Sequence, residues 1–375
     1  MTVKTEGKIL VSLTLSELKD SLKKLKKFCY KKQDHPYLKG VRIKSGDGEI
    51  FLATTDLESE ARLYPDTGVV EYDMPVDVVL IQDTIKIIEK LKQKDKTDRV
   101  YICKEQDGTY YLQVNNRTIK FNDQSENFPK DHISKHFHPV EKVWVYSVED
   151  ELNFKDKLKI TGPALEADEV KTAFQHVCFR DGYMYATDSY RLAWHKIKTT
   201  LPDDILISAE TLKKIKELLD SKSDEAVTIY LDAEKRHAGI YFQNMQVYTA
   251  LSEENFPNLD QVIPKSSDYE LTVDKTELKE ELELYKSLDK NQTVDLYISD
   301  REARLSAMDT DNKIDSNLTT AYVPTADEFH IAFNARYLLE AVDRINDTDF
   351  INLEFTGRYN PIKVNNQELI LPVRN

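Results

Sequence analysis

Residues 80–102 read LIQDTIKIIEKLKQKDKTDRVYI, with Ile81, Ile85, Ile88 and Leu91 at the three- and four-residue steps of one helix face and a short alternating run behind them. A helix followed by a strand is expected. The same order returns in LISAETLKKIKELLDSKSDEAVTIYL from Leu206 and in IAFNARYLLEAVDRINDTDFINLEF from Ile331. The helix anchors Ile85, Leu212 and Leu338 stand 127 and 126 residues apart, a period that belongs to whole domains rather than to solenoid repeats.

Other landmarks keep this step. ATTD ending at Asp56, ATD ending at Asp188 and AMD ending at Asp309 each close a strand-like segment, so the three aspartates are expected at equivalent turns. SENFP ends at Pro129 and EENFP at Pro257, where proline after an extended residue suits a strand running into a connector. Each copy opens on a strand that leads into a helix: LVSLTLSELKDSLKKL from Leu10, VWVYSVEDELNFKDKL from Val143 and YELTVDKTELKEELEL from Tyr269. The expectation is an α+β chain of three tandem domains, 1–132, 133–262 and 263–375, each with two helices packed on sheet.

Length and composition agree with several folded domains. The chain has 375 residues, 31% of them charged, with only ten glycines and twelve prolines, which argues against long flexible linkers. Its first residues, MTVKTEGKILVSL, hold no sustained apolar run, and no later stretch approaches a membrane span, so a cytoplasmic location without membrane contact is expected. Cys29, Cys103 and Cys178 are widely spaced and odd in number, as expected of reduced, structural thiols.

The formal charge of −14 argues at first against nucleic acid, because lysine and arginine drive phosphate binding by releasing counterions. Its distribution points the other way. In the first helix Leu15, Leu18, Leu22, Leu25 and Cys29 form one apolar stripe, while Lys19, Lys23, Lys24, Lys26, Lys27, Lys31 and Lys32 crowd the same stretch with only Asp20 among them. A second basic set, Lys86, Lys90, Lys92, Lys94 and Lys96, follows the other helix, and Lys213, Lys214 and Lys216 repeat it in the second copy. A solvated helix face is the alternative reading of each set taken alone.

Enzyme and metal signatures are missing. No GxxxxGK[ST] or GxGxxG occurs, which removes the glycine geometry that brings backbone N–H groups to a phosphate. DTDNKID from Asp309 starts like a calcium loop, yet Ile314 stands where glycine must turn the chain and Thr320 where a bidentate glutamate belongs. His132, His136 and His138 cluster after SENFP without a fourth ligand, so a polar connector is expected there. No GxSxG elbow supports Ser189 as a nucleophile, and no carboxylate pair can be assigned to a cleft. Neither a catalytic residue, a cofactor nor a metal is expected.

ATDSYRLA at 186–193 resembles the ATDGHRLA motif in the second domain of the bacterial β sliding clamps, the processivity subunits of replicative DNA polymerases. Ala186, Thr187, Asp188, Arg191, Leu192 and Ala193 carry it unchanged. ENFPNLDQVIP from Glu254 is similar to the clamp's FPDY…VIP segment, IAFNARYLLEAV to its third-domain helix and ILPVRN to its C-terminal end, while HPYLKGVRI from His35 carries a weaker likeness in the first domain. The resemblance implies three copies of the clamp domain, each with two helices on antiparallel sheet. It implies a head-to-tail homodimer closing a ring around duplex DNA without reading sequence, and partners that include the replicative polymerase and a clamp loader. A basic lining inside an acidic exterior reconciles the charge.

The same resemblance implies which residues work. Lys23, Lys27, Lys32, Lys86, Lys90, Lys213 and Lys214, with Arg336 from the third copy, are expected against DNA phosphates. The first helix of the third copy fits less well, since it carries Glu277, Glu280, Glu281 and Glu283, and Gly162-Pro163 interrupts the matching region of the second copy. An apolar pocket for partner peptides is expected from Thr187, Ser189 and Leu192, from Pro257 and Val262, and from Leu369, Leu371, Pro372, Val373 and Arg374, with Lys171 and Phe174 beside them. Ser189 replaces the family's glycine and Tyr190 its histidine, so partner peptides are expected to differ from the common glutamine-led, leucine–phenylalanine-ended type. The alternative is a clamp-fold scaffold or decoy that binds proteins without encircling DNA.

Overall fold

The computed structural model describes residues 7–32, 35–46, 48–70, 75–129, 133–135, 137–145, 154–197, 204–219, 226–259, 261–299, 302–308, 311–319, 321–322, 328–346 and 348–374. Its α-helices are α1 (Leu15–Leu25), α2 (Gln82–Lys90), α3 (Phe154–Lys157), α4 (Thr161–Leu165), α5 (Ala209–Lys216), α6 (Lys275–Lys286) and α7 (Ala335–Arg344). The first residues of α2, α5 and α7 keep the spacing of the anchors, and Ile85, Leu212 and Leu338 are all fully buried.

Strand gives way to helix at residues whose side chains satisfy the first free N–H groups of the helix. Thr14 Oγ1 accepts from the Glu17 amide ahead of α1. Asp274 Oδ1 accepts from Thr276 and Glu277 at 2.8 and 3.0 Å ahead of α6, and Asn334 Oδ1 from Arg336 and Tyr337 at 3.0 and 3.3 Å ahead of α7. At the far ends, Lys19 of α1 donates to the Leu91 carbonyl just past α2, and Lys275 of α6 donates to the Ile345 carbonyl just past α7 at 2.5 Å. The apolar stripe Leu15, Leu18, Leu22 and Leu25 is fully buried, each leucine contributing roughly 1.5–3 kcal/mol of transfer free energy.

Where the second copy should hold one long helix, α3, a 3-10 turn at Leu158–Ile160 and α4 follow one another. Gly162 has a physical reason to stand there: a Cβ at this position would lie 3.2 Å from Arg344 Nη1.

The chain divides into two compact units, Met1–Phe154 with Lys214–Leu251, and Lys155–Lys213 with Ser252–Asn375. These divisions cross the second copy instead of falling at 132 and 263, because strands pair across the expected boundaries. In the first unit an eight-stranded sheet runs in the order Pro139–Val145, Thr228–Asp232, His237–Phe242, Met245–Ala250, Ser59–Leu63, Glu49–Thr55, Val41–Gly46, Val76–Leu80. It joins first and second copies where Met245 faces Leu63 and Val247 faces Ala61. A five-stranded sheet built on Lys8–Thr14 and Arg99–Lys104 accompanies it.

In the second unit the eight-stranded order is Ile205–Ser208, His176–Arg180, Tyr183–Thr187, Arg191–Lys196, Glu368–Ile370, Ile362–Val364, Phe350–Phe355, Tyr269–Asp274. Second and third copies meet where Arg191 faces Ile370 and Leu192 faces Leu369. A four-stranded sheet, Lys313–Asn317, Glu302–Met308, Thr293–Ser299 and Phe329–Asn334, packs with α6 and α7 into one core that includes Leu278, Leu282, Tyr285, Leu338 and Val342. The strand pairs among the described residues are antiparallel, so the architecture is α+β.

The connector after SENFP is more than a polar link. Ile133 and Phe137 are buried against Tyr248, and Glu60 Oε2 accepts from the amides of Ile133 and Ser134 at 3.1 and 3.2 Å. Gly239 makes room for it, since a Cβ there would come within 2.8 Å of the Phe137 ring. Alternation within HISKHFH hid two apolar anchors behind three histidines. His132 and His136 lie outside the described residues, as do Asp309 and Thr320, while His138 is exposed.

Candidate functional site

The cations expected against DNA fall into two groups. In the first unit Lys23 of α1, Lys32 beyond it, and Lys86 and Lys90 of α2 are exposed, Lys86 lying 3.0 Å from Asp83. Lys27 is half-buried and paired with Glu217. Lys214 does not fit the expectation. It is buried, its ammonium lies 2.6 Å from Asp56 Oδ2, and it sits over the Phe28 ring, because the helix turns it inward onto the Asp56 turn.

In the second unit Lys213 is half-buried, 3.5 Å from Glu210. Arg336 is a second misfit, with 7% of its surface exposed and its guanidinium shared between Glu166 at 2.7 Å and Glu340 at 3.1 Å. A basic residue on a helix carries no sequence sign of a carboxylate 170 residues away. The glutamates of α6 divide as well: Glu277 caps Thr319, whereas Glu280 and Glu283 are exposed.

The residues expected to form the peptide pocket converge within the second unit. Thr187 Oγ1 donates to the Arg191 carbonyl at 2.7 Å and accepts from the Ser189 amide at 3.1 Å. Asp188 Oδ1 accepts from the amides of Tyr190 and Arg191 at 2.9 and 3.0 Å. This closes a turn in which Ser189 has a φ of +81°, the left-handed region that favours glycine. The Asp56 turn of the first unit repeats the pattern, with Leu57 at +78°, Thr55 Oγ1 bonded to the Ser59 carbonyl at 2.7 Å, and Asp56 Oδ1 accepting from Glu58 and Ser59.

Beneath the Ser189 turn lies an apolar floor of Leu192, Trp194, Phe256, Leu259 and Leu369, with Phe174 against it. Leu369 reaches it through the strand pairing above, and the tail is pinned by the Leu371 amide to the Tyr190 carbonyl and by the Val373 amide to the Ala332 carbonyl, both at 2.8 Å. Leu371 and Val262 remain exposed, Pro257, Pro372 and Val373 are half-buried, and Arg374 is exposed. Lys171 is exposed at the rim, with its Nζ 2.9 Å from Ser189 Oγ and 5.4 Å from the Phe174 ring centre. Phe256 and Leu259 were missed as floor residues although they stand inside ENFPNL, where a buried aromatic beside Pro257 was the available signal.

The turn is braced from behind. Arg191, whose side chain is fully buried, bonds Asp188 at 2.8 Å, Glu166 at 2.8 Å and Glu340 at 2.5 Å. Burial would raise the Glu340 carboxyl, but the Arg191, Arg336 and Arg344 guanidiniums hold it below its ordinary range. Next along, Arg344 grips Glu368 at 2.6 and 2.9 Å, where complete burial pushes the carboxyl up against the pull of that arginine. Among the described residues no group of three or more His, Cys, Asp or Glu side chains converges as a metal site, and no helix is long and apolar enough to cross a membrane.

Comparison with known proteins gives this arrangement its context. Residues 260–369 match the family model of the DNA polymerase III beta subunit, C-terminal domain. The Beta sliding clamp of Helicobacter pylori (strain J99) is 22% identical over 365 residues, 91% of this chain and 90% of that protein. A DNA polymerase sliding clamp from Bacillus subtilis superposes with a TM-score of 0.80 at 20% identity, covering 98% of this chain and 99% of that one.

The chain is similar to the bacterial β sliding clamps.

A clamp of Bartonella birtlesii bound to griselimycin gives a TM-score of 0.83 at 18% identity, over 98% of this chain and 100% of that chain. The Beta sliding clamp of Streptococcus pneumoniae (strain TIGR4) is 25% identical over 203 residues; that match spans 50% of this chain and about half, 52%, of the curated relative. The sliding-clamp fold therefore covers almost the whole chain, while sequence likeness is concentrated in its parts.

Proposed function

We propose that this chain is a DNA sliding clamp. Two copies close head to tail into a ring that encircles duplex DNA without reading its sequence. The ring is non-catalytic, is placed on DNA by a clamp loader, and tethers a replicative polymerase in the cytoplasm. The observation that carries this is the clamp fold over 98% of the chain, with the copies joined edge to edge by continuous sheet.

Exposed Lys23, Lys32, Lys86 and Lys90 are the proposed phosphate contacts, with Lys27 and Lys213 beside them; Lys214 and Arg336 are spent on internal ion pairs. The floor, the Ser189 turn and the C-terminal tail are the proposed docking site for partner peptides. The clamp copies are proposed to run 1–132, 133–262 and 263–375.

A second reading, a clamp-fold scaffold that does not encircle DNA, draws on exposed Glu280 and Glu283 of α6 and on the charge of −14. Primer extension by a replicative polymerase that binds the chain separates the two. A clamp lengthens the products of a single binding event at least about tenfold, an effect of tethering. Polymerase binding without longer products would favour the scaffold.

A further inference from the structure

The Ser189 turn holds a cation at the edge of the apolar floor. Because Ser189 sits at positive φ, its side chain leaves the turn in a direction fixed by the Thr187 and Asp188 hydrogen bonds. Its Oγ accepts from Lys171 Nζ at 2.9 Å, and the same ammonium stands over Phe174 at the edge of the apolar floor. One of its three N–H groups is thereby occupied, leaving donors that can turn to a ligand.

The charge around it is uneven. Asp188 and Glu166 are engaged by Arg191, and Glu166 also by Arg336. Asp168 folds back on its own loop, accepting from the Val170 amide at 2.9 Å. Arg374 adds a second exposed cation on the tail, and exposed Val170, Val262 and Leu371 supply apolar surface.

Resting on the docking site proposed above, we infer that this site selects a short apolar peptide led by a carboxylate, which Lys171, positioned by Ser189, receives at the rim. The partner is an acidic–apolar segment of another protein. A neutral glutamine at the same place would keep a hydrogen bond but gain no charge.

The test uses the full chain and two fluorescent, amidated pentapeptides, Glu-Leu-Ser-Leu-Phe and Gln-Leu-Ser-Leu-Phe, read by fluorescence anisotropy. The glutamate-led peptide is expected to bind about three- to fivefold more tightly at about 0.05 M salt, as an exposed ion pair allows, and the ratio should shrink toward one at about 0.5 M. Lys171→Met should bring the ratio to one, Lys171→Arg should keep it, and Ser189→Gly should lower it by releasing the ammonium.

Equal binding of both peptides to the natural chain overturns the inference and leaves the docking site standing. A preference that survives Lys171→Met also overturns it, since the cation must then lie elsewhere. Failure of both peptides to bind, or binding unaffected by Leu371→Asp, overturns the docking site and the inference together.

Discussion

Ser189 and Leu57 hold corresponding turns at φ of +81° and +78°, a conformation that costs side-chain-bearing residues about 1 kcal/mol or more. Ser189→Gly should therefore raise unfolding free energy by about 0.5–1 kcal/mol in urea titration, and loss of stability would refute the assigned strain. His195 tests burial at the same scale. It is 4% exposed, and its Nε2 finds no hydrogen-bond partner among the described residues. Burial, aided by Arg344, Lys157 and Lys159, lowers its pKa from 6.5 to about 4. The unfolded chain thus takes the proton first: the neutral imidazole's contribution is intact above pH 6.5 and is lost as pH falls toward 4. Between about pH 7 and 5 the natural chain should lose about 2 kcal/mol that His195→Leu does not lose. Parallel losses in urea titrations of the two would contradict this. The motif residues Thr187 and Asp188 were legible because their hydrogen bonds close one local turn, whereas Glu166 and Glu368 were not, because the arginines they meet are distant in sequence.

Periodicity served best where one helix face meets one core. The anchors of α1, α2, α5 and α7 are buried as their spacing requires, and the capping residues Thr14, Asp274 and Asn334 mark where strand becomes helix. It failed where packing is not periodic, as in the connector that seats Phe137 over Gly239. Charge failed for a related reason. In sequence Lys214 and Arg336 look like the exposed cations of α1 and α2, and only the turn of each helix decides which cations are buried. Gly239→Ala should cost about 1–3 kcal/mol by overpacking against the Phe137 ring. In a Phe137→Ala background the cost should fall by at least about 0.5 kcal/mol, measured by a double-mutant cycle. Additive effects would show that the two positions do not meet.

Strand pairing across copies explains why a threefold sequence period yields two compact units. The second copy gives Met245–Ala250 to the sheet of the first copy and Arg191–Lys196 to the sheet of the third, so its residues are divided between the units. No period in the sequence reports which edges pair. For the whole molecule, an excess of acidic residues coexists with exposed lysines on α1 and α2, as a protein that holds DNA only by enclosure would need. The decisive measurement is retention of the labelled full chain, placed by a clamp loader, on nicked circular DNA before and after a single cut. Encirclement predicts stable retention on the circle at moderate salt and release when the cut supplies an end; equal retention on circular and linear DNA, or none on either, would contradict it.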